Sequence, residues 1–489
     1  MKQTFFGARL ARHAANPPLD PAFVAAGFEI GYVDLRRRVE ACAAWLIREG
    51  CASSNVVGVT VADECLHMVT TLALLWLGIP QVCLASRDSA SMRRDLAQRL
   101  AVRRVVVADH AYGLDGFEHS LLPPESVIGA TGVSPAVGAL DADPDAPAIY
   151  FVSSGTTGEP KVYAFNQRHL VWRAERMGES ERIAPGYRAL TLVSVEDAPA
   201  KSKRLTSAYL GVTSVFRTAT ASSSVQALCA DLGVTCLELN TLQVMSIVSD
   251  ASDARRFPAA TTVHVSGSQV SAQLRRAFTE RFSTPLFVHY GAREFGRIAT
   301  TYPDGHHDVE SVGAPVHWVE LEVVDGNGKQ LPAGEIGELR VRSENMVGGY
   351  HGNPVATARH FRDGWFYPGD LASLGPDGVL CLQGRTDDMM NLNSVKIFPR
   401  EIERVLEEHP AVKSAAAFAK SSPVHGSIPV AAVELHEAAT VAVDELMART
   451  RERLGVRAPR RIIVVPALPR SSGGKVQTHA LVALLGLDK

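Results

Sequence analysis

Apolar residues step by three and four along the early chain, through Leu35, Val39, Cys42, Ala43, Leu46 and Ile47, and the pattern stops at Gly50. This spacing predicts an amphipathic helix from Tyr32, closed by a glycine. Residues 56–61 form a short β-rich apolar run and predict a strand. A second apolar helix follows over 68–77, ended by Gly78-Ile79-Pro80, and 105–107 predicts another strand. Helices alternating with short buried strands imply a parallel sheet covered by helices. The rhythm resumes near residue 146, with strands predicted at 148–152, 190–195 and 261–265.

Around residues 320–345 the texture changes to VELEVVD, a Gly326-Asn327-Gly328 turn and GELRVRS. Alternation about Asn-Gly predicts antiparallel hairpins and a smaller β-rich unit. After Asp387 the chain changes again, with a helix in FPREIERVLEEHPAV, strands at 414–418 and 430–435, and a last helix at 443–454. A tail of this length is large enough to fold alone.

Composition narrows the class. With 489 residues the chain holds about three structural units. Its 50 Lys and Arg against 52 Asp and Glu give a net charge of −2, with no basic excess for binding nucleic acid. No apolar run reaches the roughly 20 residues of a membrane span, and the opening residues lack the apolar centre of a secretory leader. The seven cysteines are scattered and never spaced Cys-x-x-Cys. Reduced thiols in a cytoplasmic enzyme acting on a small molecule are expected.

The most distinctive segment is Ser153-Ser154-Gly155-Thr156-Thr157-Gly158-Glu159-Pro160-Lys161, directly after the strand predicted at 148–152. Its glycines free backbone N–H groups to wrap a phosphate, its hydroxyls add donors, and Lys161 supplies a fixed positive charge. It is not a Walker loop, because Pro160 stands where that motif has a glycine and no Ser or Thr follows Lys161. Taken alone, such a stretch is more often just a turn.

Further segments follow in order: Tyr290-Gly291-Ala292-Arg293-Glu294, GELRVR from Gly337, WFYPGD ending at Asp370, Gly384-Arg385-Thr386-Asp387-Asp388, and Gly473-Gly474-Lys475-Val476. Together with FVSSGTTGEPKV they resemble the adenylate-forming superfamily of acyl-CoA synthetases, peptide synthetase adenylation domains and luciferases. The resemblance spans about residues 30–480. It implies an α/β fold: a large N-terminal domain, 1–386, of two helix-covered sheet subdomains (about 1–145 and 146–318) and a small β-barrel-like subdomain (319–386). A small mobile α+β C-terminal domain, 387–489, follows a hinge at Asp387.

The resemblance also implies the chemistry, attack of a carboxylate on the α-phosphate of ATP to give an acyl-AMP and pyrophosphate. Residues 153–161 would hold the β- and γ-phosphates, and Glu294 would ligate Mg²⁺. Tyr290 and Gly291 would lie against the adenine, and Ser266-Gly267-Ser268 would edge the purine. Asp370 would accept the ribose hydroxyls with Arg385 beside it. Lys475 would stand between the incoming carboxylate and the α-phosphate, where negative charge accumulates.

Two departures from the family pattern stand out. Arg293 replaces a threonine that touches the α-phosphate; an arginine either meets that phosphate by charge or points away. Ser394 replaces a glycine beside the expected pantetheine path. In the region that would hold the acid, Asp197 is placed to meet an ammonium group, whereas Lys201, Lys203 and Arg204 would suit a second carboxylate or the phosphates of CoA, and the stretch equally reads as a solvated loop. His264 and His289 flank the site.

The expected activity is an ATP-dependent, AMP-forming ligase that passes its acyl group to CoA or to the phosphopantetheine thiol of a separate carrier protein. Two alternatives are an adenylate handed directly to an amine, and a non-catalytic nucleotide sensor or scaffold.

Overall fold

The computed structural model describes residues 5–123, 143–153, 161–217, 224–250, 255–303, 311–392, 395–422, 426–471 and 474–487. Its helices follow the apolar pattern closely. In the helix Tyr32–Arg48 the side chains of Leu35, Val39, Cys42, Ala43 and Leu46 are fully buried, and Gly50 takes φ +80° to turn the chain out. Ile47 departs from the expectation: it lies off the buried stripe and is half exposed.

Four sheets contain the described strands. The first runs in the order Glu118–Leu121, Arg104–Val107, Val57–Thr60, Gln81–Cys83, Pro147–Ser153, Lys161–Asn166, and all but its last pairing are parallel. The second has nine strands. Six are parallel at its centre, Leu286–Ala292, Thr262–Ser266, Cys236–Asn240, Arg188–Thr191, Thr213–Val215 and Phe23–Ala25. Antiparallel strands finish it at either end.

Sheet membership corrects the subdomain boundary expected at residue 145. The early strands Phe23–Ala25 and Phe28–Ile30 join the second sheet, while Pro147–Ser153 and Lys161–Asn166 complete the first. Each strand's local pattern identifies it as a strand but not its distant partner. Phe23, for example, is fixed by edge-on packing against Phe216 at 5.0 Å.

The strand expected over 190–195 ends early, at Thr191. The hydroxyls of Thr191 and Ser194 accept from the N–H groups of Val193 and Glu196 at 3.2 Å, bending the chain away from the sheet.

The β-rich unit is a six-stranded antiparallel sheet between Glu320 and Arg385. Its Asn-Gly turn forms, with Asp325 Oδ1 accepting from Asn327 and Lys329, and Glu320–Val324 pairs antiparallel with Gly337–Arg342, the two segments whose alternation about the turn predicted a hairpin. In the tail, Pro399–Glu407 and Val443–Leu454 cover a five-stranded sheet, and Ile402, Leu406 and Leu446 fill the space between them. Among the described residues no helix is long and apolar enough to cross a membrane.

Candidate active site

The third sheet brings Asp370 and Arg385 opposite each other as paired residues. Arg385 Nη1 donates to Asp370 Oδ1 at 2.9 Å and to the Pro368 carbonyl at 2.6 Å. From the second sheet, the Tyr290 hydroxyl donates to Asp370 Oδ2 at 2.5 Å. Gly369 makes the close approach possible: its φ is +81°, and a Cβ there would stand 2.9 Å from Arg385 Nη2. Burial and the adjacent Asp370 carboxylate push the Tyr290 phenol well above its ordinary pKa, so it stays a donor. A carboxylate has about four acceptor positions. Two are used here, which leaves room for two hydroxyls.

Gly291 is as constrained as Gly369, since a Cβ there would fall 2.2 Å from the Gly296 carbonyl oxygen. Ser266, Gly267 and Ser268 follow the strand Thr262–Ser266, and Gly267 turns the chain with φ +100°. Ser268 Oγ is buried without a hydrogen-bond partner among the described residues, while the Ser268 carbonyl accepts from Thr241 Oγ1 at 3.2 Å at the start of the helix Thr241–Ser249.

At the phosphate end, Ser153 and Lys161 pair across the hairpin of Pro147–Ser153 and Lys161–Asn166. The intervening loop, with Ser154, Gly155, Thr156, Thr157 and Gly158, lies outside the described residues. Lys161 Nζ lies 2.7 Å from His360 Nε2 and 5.2 Å from the Tyr350 ring centroid. His360 Nδ1 is 2.8 Å from the Tyr367 carbonyl, so that nitrogen carries the proton and Nε2 accepts from the lysine. Burial lowers the Lys161 pKa, and Glu294 opposes that shift.

Glu294 is buried, and Tyr350 donates to its Oε1 at 2.9 Å. A partly satisfied buried carboxylate near Lys161 is the oxygen donor that a hard divalent cation requires. Arg293 Nη1 donates to the Val152 carbonyl at 3.0 Å, immediately before the phosphate loop.

Lys475 reaches the same cluster from the tail. Its loop is a narrow hairpin in which Arg470 bridges Val476, Ser471 N–H donates to the Lys475 carbonyl at 2.8 Å, and Arg470 ties Gly474 to Ser414. Gly474 packs on the body: a Cβ there would lie 3.2 Å from Leu242 Cγ and 3.7 Å from Asn240 Oδ1. Burial in the cleft lowers the Lys475 pKa although the side chain keeps a path to solvent, and the charges acting on it are Asp370, Arg293, Arg385 and Glu294. Five of the expected groups therefore converge from three units of the chain.

The residues expected near the acid divide. His264 Nδ1 and His289 Nε2 are 2.8 Å apart on adjacent strands, and Thr262 and Thr300 cap the pair at 3.0 Å. Burial lowers both imidazoles, His264 to about 3, so both are neutral near pH 7. Beside them Glu181 is held by Lys203, by Arg297 at 2.6 Å and by the Tyr187 hydroxyl at 2.5 Å. Burial alone would raise the Glu181 pKa, but Lys203 and Arg297 outweigh it and hold the carboxyl well below its usual range. Glu181, Cys236 and His264 have metal-ligand spacing. Both Glu181 oxygens are already bound and Lys203 supplies the cation, so the cluster is an ion-pair network.

Lys203 and Arg204 are consumed structurally, by Glu181 and Glu238 and by Glu64 respectively, which overturns their reading as contacts to a second carboxylate or to CoA. Asp197 begins the helix Ala198–Leu210 and binds Arg87 at 2.6 Å, so an ammonium group would have to displace that arginine. Lys201 is buried, which lowers its pKa, and the Glu196 carboxylate opposes that shift. The structure joins neither residue to the Lys475 cluster. Asp387 pairs with Arg359, and Ser394 lies outside the described residues.

His360 and Tyr350 were missed by sequence reasoning. Their signal is the Tyr350 to His360 segment between two recognised motifs, but its meaning lies in contacts with Lys161 and Glu294 far away in the chain.

A carboxylate poised for two hydroxyls, a phosphate hairpin and a lysine delivered by a separate tail describe an enzyme that activates a nucleoside polyphosphate. The chain belongs to the AMP-binding enzyme family: residues 10–351 match that family, and residues 401–475 match the AMP-binding enzyme C-terminal domain. It is an AMP-forming ligase, so the non-catalytic alternative falls away. A 4-chlorobenzoate–CoA ligase of Arthrobacter sp. is 27% identical over 96% of this chain and 92% of its own. Among solved structures, the amide bond synthetase McbA of Marinactinospora thermotolerans aligns with TM-score 0.88 at 23% identity, covering 97% of this chain and 99% of that one. The o-succinylbenzoate CoA synthetase of Bacillus subtilis, solved with ATP and magnesium ion, aligns with TM-score 0.85 at 22% identity over 97% and 98%.

Proposed function

We propose that the chain uses ATP and Mg²⁺ to convert a small carboxylic acid into its acyl-AMP. A carboxylate oxygen of the acid bonds to the α-phosphorus, the bond from that phosphorus to the bridging oxygen breaks, and pyrophosphate leaves. The acyl group then passes to the thiol of CoA or of a carrier protein, releasing AMP. The observation that carries this reading is the convergence of Lys475 with Asp370, Arg385, Arg293 and Glu294.

In this reading Asp370 accepts the ribose hydroxyls while Arg385 and Tyr290 fix its orientation. Lys161 and residues 153–158 hold the outer phosphates, and Glu294 offers an oxygen to the magnesium ion, which screens the polyphosphate charge. Lys475 faces the two anions as they meet, a fixed cation where charge develops. Residues 1–386 form the body and 387–489 a tail that rotates about Asp387 between the two half-reactions. A cytoplasmic setting suits the buried thiols: burial pushes Cys42, Cys229 and Cys236 up to about 12, which keeps them protonated.

A second reading has the adenylate captured by an amine. Ser394, in place of a glycine on the expected thioester path, favours it.

The test is exchange of labelled pyrophosphate into ATP, screened over aliphatic, aryl and amino acids. Exchange that depends on the acid and collapses in Lys475→Ala supports adenylation; absence of exchange with every acid overturns it. Addition of CoA then separates the two acceptors, since robust thioester formation excludes the amine reading.

A further inference from the structure

A cleft of about 130 Å³ opens where the tail begins, between the phosphate and ribose ends of the site. One wall is His360, whose Nε2 touches Lys161 at 2.7 Å. Another is formed by Gly369 and Thr386, the neighbours of Asp370 and Arg385. Arg359 and Arg362 also line it. The Arg362 guanidinium carbon stands over the Tyr367 ring, 3.5 Å from its centroid, and the side chain meets Glu338 at 3.0 Å. Arg359 meets Asp387, the expected hinge residue.

Both arginine ion pairs are open to water. The side chains of Arg359 and Arg362 are 57% and 43% exposed. Ion pairs so open to water contribute little, so a competing anion of higher charge displaces the carboxylate readily. A guanidinium fork matches phosphate oxygens in two-pronged fashion. Glu338 and Asp387, the partners of the two arginines, complete the lining, and Lys161 and Arg385 stand one contact behind it, against His360 and Gly369. Such a surface fits a compact anion with several oxygens, the chemistry of inorganic pyrophosphate.

We propose that this cleft is a product subsite for pyrophosphate, in which Arg359 exchanges the Asp387 carboxylate for the departing anion. The inference rests on the adenylation reading. Pyrophosphate leaving the α-phosphorus passes Lys161 and His360, reaches Arg359, and frees Asp387 from its tether to the body. The same contact that stores the product thereby releases the residue about which the tail turns.

The experiment measures binding of inorganic pyrophosphate alone to the full chain by titration calorimetry, for the unaltered protein and for Arg359→Gln and Asp387→Asn. Arg359→Gln should weaken binding at least fivefold, whereas Asp387→Asn should tighten it at least twofold because the competing carboxylate is gone. Melting temperatures within about 2 °C of the parent show that both variants remain folded. A dissociation constant within twofold of the parent in Arg359→Gln, or weaker binding in Asp387→Asn, overturns the proposal. Pyrophosphate–ATP exchange in the same preparations separates the two ideas. Exchange in the parent with no effect of Arg359→Gln on pyrophosphate binding sinks the subsite alone, while pyrophosphate binding without exchange for any acid sinks the adenylation reading.

Discussion

Arg293 donates to the main-chain carbonyl of Val152 at 3.0 Å, tying the residue next to Glu294 to the strand that enters the phosphate loop. The arginine that replaces the expected threonine thus braces one side of the site against the other, and its charge also acts on Lys475. A charge-assisted hydrogen bond of this kind is worth about 1.5–3 kcal/mol. Arg293→Ala should therefore lower kcat/KM for ATP by roughly ten- to hundredfold, measured by pyrophosphate exchange. Unchanged kinetics would show that the contact does not position the loop.

Lys475 should give the adenylation step an alkaline limit. Burial lowers its pKa, with the Asp370 carboxylate opposing that shift. The charged, active form is lost as pH rises through the lowered value. The fall should begin below the ordinary lysine value of about 10.4. Lys475→Arg, whose guanidinium stays charged, should abolish this limb of the exchange profile while reducing the maximal rate. A limb that persists unchanged in the arginine variant would assign it elsewhere.

Tyr290→Phe removes one of the two donors that orient Asp370. Loss of a hydrogen bond to a charged carboxylate, about 1.5–3 kcal/mol, predicts a KM for ATP raised roughly ten- to hundredfold. The KM for the acid should be unaffected. A change confined to the acid would place Tyr290 in the wrong half of the site.

Glu181 is the main electrostatic stake in the fold. Its side chain is 1% exposed between Lys203 and Arg297, so Glu181→Gln leaves two buried cations short of a partner. Breaking a buried pair costs about 3–5 kcal/mol. The exposed pair of Arg342 and Glu320 is the control, with about 0–1 kcal/mol expected for Glu320→Gln. The sign with pH follows from the depressed carboxyl. Its stabilisation is complete above the unfolded value of about 4.3 and is lost as pH falls through the lower folded value. Thermal unfolding of the parent should therefore weaken at acid pH in a way that Glu181→Gln does not.

Much of this architecture was legible because it is local. The helix at Tyr32–Arg48 declares itself by Leu35, Val39, Cys42 and Leu46, and the helix Val443–Leu454 falls where periodicity places it, although it is not the last: a two-turn helix, Thr478–Leu484, too short to show a clear period, follows it. Asp370, Arg385, Tyr290 and Lys475 were legible through their order in recognisable motifs, and register and packing then explain their meeting. What stayed hidden depends on partners distant in sequence. Lys203 and Arg204 carry the same charge as Lys201, and only the folded neighbours Glu181 and Glu64 reveal that they are structural. His360 gains its meaning from Lys161, and Phe23–Ala25 is too short for its alternation to name a partner sheet.

That early strand also sets a timetable for synthesis. Phe23–Ala25 hydrogen-bonds alongside Thr213–Val215, which emerges from the ribosome roughly 190 residues later. At about 5–20 residues per second the strand waits on the order of 10–40 s for its partner. The first sheet can close in that interval once Lys161–Asn166 has appeared, but the second cannot. The nascent chain can pair Phe23–Ala25 at once with Phe28–Ile30 on one edge, but its other edge and the buried side chains of Phe23 and Val24 wait uncovered until Thr213–Val215 and Phe216 arrive, so this short apolar hairpin needs shielding while the enzyme is made.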